Sequence, residues 1–346
     1  MPLLQVEELR VSFRTADGIV QAVRGVSYDV EAGQTLGIVG ESGSGKSVST
    51  QTIMGLTRGA QVSGRAVFEG KDLLTASTGD MQRIRGAKIA MIFQDPLTSL
   101  HPYYKVGWQI MEMIQQHESV SKDDARKRAV ELLRLVGIPH PDRRVDDYPH
   151  QFSGGMRQRA MIAMAMALNP ALLIADEPTT ALDVTVQAQV LRVLQRRQEM
   201  FGTAVILITH DLGVIADVAD EVLVMYGGEV MERADRRTLF FNSHHPYTEG
   251  LLQSLPAYGG ARERLRPIPG QPPSLLSPPP GCPFAPRCPY VMDRCRTEEP
   301  PLAAAGEEPG HISACWLPHR GSERAELRRK LLEAEPAGTA PSAGGA

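Results

Sequence analysis

Three short segments, taken in order, constrain this chain more than anything else in it. The first is GESGSGKS, Gly40 to Ser47, with the apolar run Thr35–Val39 before it and KSVSTQTIMGL after it. The second is the triplet Ser153-Gly154-Gly155, placed to open a helix. The third is LLIADEP, in which an apolar run from Leu172 closes on Asp176 and Glu177. Strand, glycine-rich turn and helix in succession make a phosphate-binding loop, in which backbone N–H groups and a helix N-terminus surround an anion. Such loops serve kinases, GTPases and motors alike. A second glycine-opened helix between the loop and the acidic strand end is much rarer. It predicts a second anion-binding helix start, belonging to a site that another chain completes.

Each residue type has a chemical reason. Gly40, Gly43 and Gly45 permit torsions and close approaches that a Cβ would block. Glu41, Ser42, Ser44 and Val48 share the same cradle and are assigned with it to the nucleotide. Lys46 reaches the outer phosphates, and the Ser47 hydroxyl ligates Mg²⁺. The run before Asp176 is almost continuously apolar, as a strand covered on both faces requires. Asp176 is placed to hold Mg²⁺ through a water, which suits an ion that dehydrates reluctantly. Glu177 is the group to orient or deprotonate an attacking water.

With these residues in place the chain resembles the ATP-binding-cassette (ABC) ATPases over residues 1–250. Phe13, in LRVSF, matches the aromatic residue that stacks on adenine. Gln94, in IFQDP, matches the glutamine that senses the γ-phosphate and Mg²⁺. FSGGMRQR, Phe152 to Arg159, matches the signature motif, with Phe152 and Met156 departing from its commonest form. Ala181-Leu182-Asp183 matches the D-loop, and His210, in LITHD, the switch histidine. The resemblance implies an α/β fold: a P-loop, RecA-like core with an antiparallel β region and an α-helical subdomain. It implies ATP and Mg²⁺, with Glu177, His210, Gln94 and Lys46 catalytic and Ser47, Gln94 and Asp176 at the metal. It also implies that Ser153, Gly154 and Gly155 act on the ATP of an opposite subunit. Only one cassette is present, so hydrolysis requires a dimer.

Composition excludes several other roles. A formal net charge of −3 gives no global attraction to nucleic acid or anionic lipid. No apolar stretch is long enough to cross a bilayer. Glu7 and Glu8 stand where a signal peptide needs an apolar core, so export is not expected. The expected location is therefore peripheral, on the cytoplasmic face of the membrane, and any membrane role comes through a partner.

Within the cassette, residues 97–167 turn helical: VGWQIMEMIQQ and ARKRAVELLRLVG carry apolar residues at helical spacing, and Gly137 ends the second. This region resembles the subdomain whose groove receives a coupling helix, with Trp108, Met111 and Met113 as candidate groove residues. Residues 251–332 form an extension, and 333–346 a small, polar, proline-broken tail expected to be disordered.

The extension holds all four cysteines, Cys282, Cys288, Cys295 and Cys315, spaced C-x5-C-x6-C-x19-C beside a proline-rich stretch from Pro267 to Pro280. Disulfides are disfavoured in a chain read as cytosolic. Four thiolates suit tetrahedral Zn²⁺ or an iron–sulfur cluster, and a metal-free role stays open. GIVGESGSGKS, YPHQFSGGMRQR, HPYTEGLL and CPFAPRC together resemble the ATP-binding subunits of dipeptide/oligopeptide (peptide/nickel) importers. Some members of that family carry a [4Fe–4S] cluster in this region, so the resemblance favours the cluster, with zinc as the rival. It implies an ATPase that energises uptake of di- or oligopeptides. A nickel, glutathione or other solute importer is the alternative, and a soluble non-transport ABC ATPase a more distant one. Implied partners are a second, sister ATPase subunit, two multispanning permease subunits and a solute-binding protein, with no nucleic acid.

Overall fold

The structure is a computed structural model that describes residues 1–95, 99–179, 183–254, 267–306 and 308–318. Ala181, Leu182 and the expected tail lie outside the described residues. Two sheets organise the rest. A four-stranded antiparallel sheet, in the order β2-β1-β4-β5, is built from β1 (Leu4–Thr15), β2 (Gly18–Val30), β4 (Ala60–Phe68) and β5 (Lys71–Asp72). The larger sheet runs β11-β12-β10-β9-β3-β8-β7-β6. Its parallel centre comprises β3 (Thr35–Val39), β6 (Ile89–Ile92), β7 (Leu172–Asp176), β8 (Ala204–Ile208) and β9 (Glu221–Tyr226). The strands before residue 95 therefore divide between two sheets: β3 and β6 leave the antiparallel layer for the larger one.

The central strands read as unbroken apolar runs because both of their faces are covered. In β7, Leu172 and Ile174 join the core under the antiparallel sheet, whereas Leu173 and Ala175 join the core shared with the helices. In β8, Ala204, Ile206 and Ile208 split from Val205 and Leu207 in the same way. This is the period-2 alternation of a strand written into two cores at once. Gly37 of β3 is small for a packing reason, since a Cβ there would stand 2.7 Å from Ile215 Cδ1.

Helices interrupt the sheet after β6. They are α3 (Val106–His117), α4 (Lys122–Leu135), α5 (Pro141–Arg144) and α6 (Gly154–Ala165), following α1 (Lys46–Ile53) and α2 (Thr78–Ile84). Ser121 caps α4 by accepting from the Asp124 amide, and Asp123 and Asp124 place negative charge at its N-terminus. Gly137 follows its end with φ +72°, as the helix-stop reading requires. No helix among the described residues is long and apolar enough to cross a membrane.

The chain continues through α7 (Val184–Phe201), α8 (Leu212–Val218), β10 (Glu229–Asp235), α9 (Arg236–Asn242) and α10 (Pro246–Gln253). Residues 267–280 carry neither helix nor strand. Among its described residues, the cysteine-bearing segment holds a 3-10 turn (Ala285–Arg287), α11 (Asp293–Thr297), β11 (Ala303–Ala304) and β12 (Ile312–Ser313). It is fastened to the cassette at both ends. The Gln21 amide donates to the Leu275 carbonyl at 2.9 Å, and β12 pairs with β10 through Glu232↔Ser313 and Arg233↔Ile312.

Candidate functional site

The glycine-rich loop leaves β3 and enters α1 at Lys46. Two of its glycines are demanded by contact as well as torsion. At Gly40, φ is +151° and a Cβ would lie 2.1 Å from the Met225 carbonyl oxygen; at Gly45, φ is +94° and a Cβ would lie 2.4 Å from that of Ala22. Ser42 and Gly43 are exposed at the loop tip, Ser44 is buried, and Val48 packs half-buried against the core beneath α1. Lys46 folds back into the loop. Its Nζ donates to the Gly40 and Glu41 carbonyls at 2.7 and 2.8 Å and to Ser44 Oγ at 3.4 Å. Burial lowers the pKa of this ammonium, opposed by the negative charges of Glu177, Asp176 and Glu41.

Beside it, the Ser47 hydroxyl donates to Asp176 Oδ1 at 2.8 Å. Burial raises the Asp176 pKa, opposed by the Ser47 bond and reinforced by the Glu177 charge. A buried carboxylate next to a serine hydroxyl is a hard-oxygen pair suited to Mg²⁺, and the two oxygens already touch. Glu177 follows in a left-handed backbone conformation, φ +48°, that costs a non-glycine residue on the order of 1–2 kcal/mol. Its amide is tied to the Ile208 carbonyl at 2.8 Å. The twist turns its carboxylate between two partners: Gln94 Nε2 donates to Oε2 at 3.0 Å, and His210 Nδ1 lies 3.2 Å from Oε1. Residues 94, 177 and 210, far apart in sequence, thus meet at one carboxylate.

Other expected residues sit elsewhere. Phe13 is half-buried on β1, opposite Val20 and Ala60, in the sheet whose β1 and β2 pack on α1. Ser153 caps α6, accepting from the Met156 amide at 3.3 Å. Nothing stands within 4 Å of a Cβ at Gly154, so the start of α6 opens outward. Among the described residues, no hydrogen bond joins the triplet to Gly40–Ser47 of its own chain. Trp108 and Met111 do line a groove, together with Glu112, Gln115, Gln116 and Lys122. Met113 does not. Its Cε closes on Gly86, 2.8 Å from where a Cβ would be, so it serves internal packing instead.

Cys282, Cys288, Cys295 and Cys315 form no disulfide among the described residues and surround one small apolar cavity of about 20 Å³, capped by Phe284, Trp316 and Leu317. Burial pushes the Cys282 and Cys288 thiols up to about 12. As residue types, four soft sulfurs are the donors that thiolate-held metals use. Among the described residues, however, no three His, Cys, Asp or Glu side chains converge into a metal-holding group.

Sequence reasoning missed three contributors. Gln158 of α6 is fully buried and its Nε2 donates to the Pro178 carbonyl, tying the triplet's helix to the acidic strand end. Tyr247 and Arg287 converge on Glu41 of the loop. The first lay in a motif already noticed, HPYTEGLL, and the second in CPFAPRC. Their common target, 206 and 246 residues away, left no local signal.

Comparison with known proteins places the chain in a family. A family model described as "ABC transporter" matches residues 23–180, and one described as "Oligopeptide/dipeptide transporter, C-terminal region" matches residues 231–295. The oligopeptide transport ATP-binding protein OppD of Bacillus subtilis (strain 168) is 52% identical over 328 residues, covering 94% of this chain and 91% of its own. The dipeptide transport ATP-binding protein DppD of the same organism is also 52% identical, covering 94% and 97%. Among solved structures, the dimeric ATP-binding cassette MJ0796, in a post-hydrolysis state bound to ADP and Pi, aligns with a TM-score of 0.63 at 27% identity. It covers 68% of this chain and 99% of that one. The cbiO1 subunit of Clostridium perfringens aligns at 0.59 and 29%, covering 70% and 91%.

Proposed function

The chain belongs to the ABC transporter family, in its oligopeptide/dipeptide branch, and from that premise we propose how its residues turn ATP hydrolysis into peptide import. It is an ATP-binding subunit that energises uptake, working with membrane permeases and a substrate-binding protein. The observation that carries the residue assignment is the Glu177 carboxylate, held between Gln94 and His210 one residue beyond the Asp176–Ser47 pair. Glu177 orients and deprotonates the attacking water, and Gln94 and His210 fix its angle and report the γ-phosphate. Lys46 exchanges its loop carbonyls for phosphate oxygens and stabilises charge that develops on them. Ser47 and Asp176, with Gln94, are the residues that would hold Mg²⁺, Asp176 through a water, and the ion would supply charge neutralisation at the phosphates. Phe13 stacks on the base.

We assign residues 1–250 to the cassette, with the helices of 97–167 as its permease-facing subdomain and the extension 251–332 as the importer-specific part. The outward-opening start of α6 supports a site shared between two ATPase subunits, with Ser153, Gly154 and Gly155 presented to the partner's ATP. A sister subunit is the partner we propose, at the cytoplasmic membrane face. Cys282, Cys288, Cys295 and Cys315 are the residues that would hold a [4Fe–4S] cluster, or Zn²⁺, in a structural role. Glu177→Gln tests the catalytic assignment in the reconstituted transporter. ATP affinity should stay within about twofold while hydrolysis falls by about 10²- to 10⁴-fold. Hydrolysis at the wild-type rate would overturn it.

A further inference from the structure

We propose that Arg287, in the cysteine-bearing extension, is a positioning residue for the phosphate loop. It sets ATP affinity by holding Glu41, one hydrogen bond from Lys46. This rests on the reading of Gly40–Ser47 as the phosphate site.

The contact is built on both sides. Arg287 Nη1 donates to Glu41 Oε2 at 2.7 Å and Nη2 to Oε1 at 3.0 Å, a fork on a carboxylate. The remaining N–H groups are also engaged. Nε reaches the Pro269 carbonyl at 2.8 Å, Nη2 the Ile268 carbonyl at 3.3 Å, and Nη1 the Tyr226 hydroxyl at 3.1 Å. Every N–H of the guanidinium thus has an acceptor, and the side chain is only 5% exposed. On the loop side, the Glu41 amide donates to the Tyr247 hydroxyl at 2.9 Å, and the Glu41 carbonyl accepts from Lys46 Nζ at 2.8 Å. Tyr226 and Tyr247 pack with ring centroids 4.5 Å apart and planes tilted by 51°, joining the two anchors.

Glu41 is therefore gripped by its side chain and its amide from elements outside the loop, while its carbonyl holds the lysine that the phosphates must recruit. A buried ion pair contributes little net stability against apolar packing of the same volume, but it fixes geometry. Here the geometry fixed is that of the residue next to Gly40, where the loop begins. Arg287 also lies within the Cys282–Cys288 interval. The extension and the nucleotide site consequently share one ion pair.

The test uses the full chain carrying Glu177→Gln, so that ATP is bound but not consumed, with Mg·ATP affinity read by calorimetry. Arg287→Gln should weaken ATP about tenfold, within the range of ordinary site-to-site coupling. Arg287→Lys, which keeps charge but not the fork, should recover part of that loss. Glu41→Gln should cost as much, and the double variant no more than either single one. An ATP affinity unchanged in Arg287→Gln and Arg287→Lys while the unfolding temperature drops would overturn the proposal, leaving a docking contact. Additive single effects would overturn it too. Lys46→Ala is the control for the underlying reading: unchanged ATP affinity there would overturn the phosphate-site assignment itself, separately from Arg287.

Discussion

Glu232 is the acceptor on which the junction between cassette and extension depends, and its replacement gives a prediction that can be worked from distances. The residue is fully buried on β10. Its Oε1 accepts from the His244 amide at 2.5 Å and lies 2.7 Å from His311 Nε2, and its Oε2 accepts from the His245 amide at 3.0 Å. Three donors from two later segments thus share one carboxylate. Glu232→Gln keeps the shape but turns one oxygen into an NH₂ group that must face a buried N–H. Each hydrogen bond to a charged group is worth about 1.5–3 kcal/mol, and at least one is lost outright, so destabilisation of about 2–4 kcal/mol is expected. Equilibrium urea unfolding of the full chain reads it, with Trp108→Phe in the background so that Trp316 reports the extension. A loss below about 0.5 kcal/mol, the range of an ordinary surface change, would refute the reasoning. The pH dependence follows. Burial raises the Glu232 pKa, but the hydrogen bonds from His311, Thr248, His244 and His245 outweigh it, and the net value lies below the ordinary 4.5. A depressed carboxyl contributes stability that is fully present above its unfolded value and is lost as pH falls through the folded one. The gap between wild type and variant should therefore be constant at neutral pH and close only below pH 4.5.

Two further outcomes are expected. Gly40→Ala would drive a Cβ to 2.1 Å from the Met225 carbonyl, so the loop must shift, and Mg·ATP binding measured by calorimetry should fall at least about tenfold even where the protein remains folded. Anaerobically purified protein should contain iron and sulfide, or zinc, near one site per chain. Changing Cys282 and Cys288 together to Ser should abolish that content in elemental analysis, whereas metal at background in the wild type would remove the cluster assignment.

Most of the cassette was legible because its chemistry is local. GESGSGKS fixes a strand, a turn and a helix within eight residues of each other, and LLIADEP announces a doubly covered strand by its unbroken apolarity. The meeting of Gln94, Glu177 and His210 was readable only by resemblance, since it depends on neighbouring strands β7 and β8 and the loop after β6. Met113 shows the limit of periodicity: its position on α3 says it faces something, but the backbone of Gly86 decides what. Arg287 shows the larger limit. A guanidinium among prolines reads as solvated until the chain returns to the phosphate loop and buries it.

The cap on α6 has a consequence of its own. A serine hydroxyl carries one proton and two lone pairs. The Met156 amide takes one lone pair of Ser153, which leaves the proton and the second lone pair open to another group. The first turn of the helix thereby holds its own serine in place with its donor still available. An approaching phosphate would meet that hydroxyl beside the Gly154 and Gly155 amides, which belong to the first turn of the helix and so have no intrahelical acceptor. A nucleotide phosphate reaching this helix start would find donors that the cap has placed before it arrives.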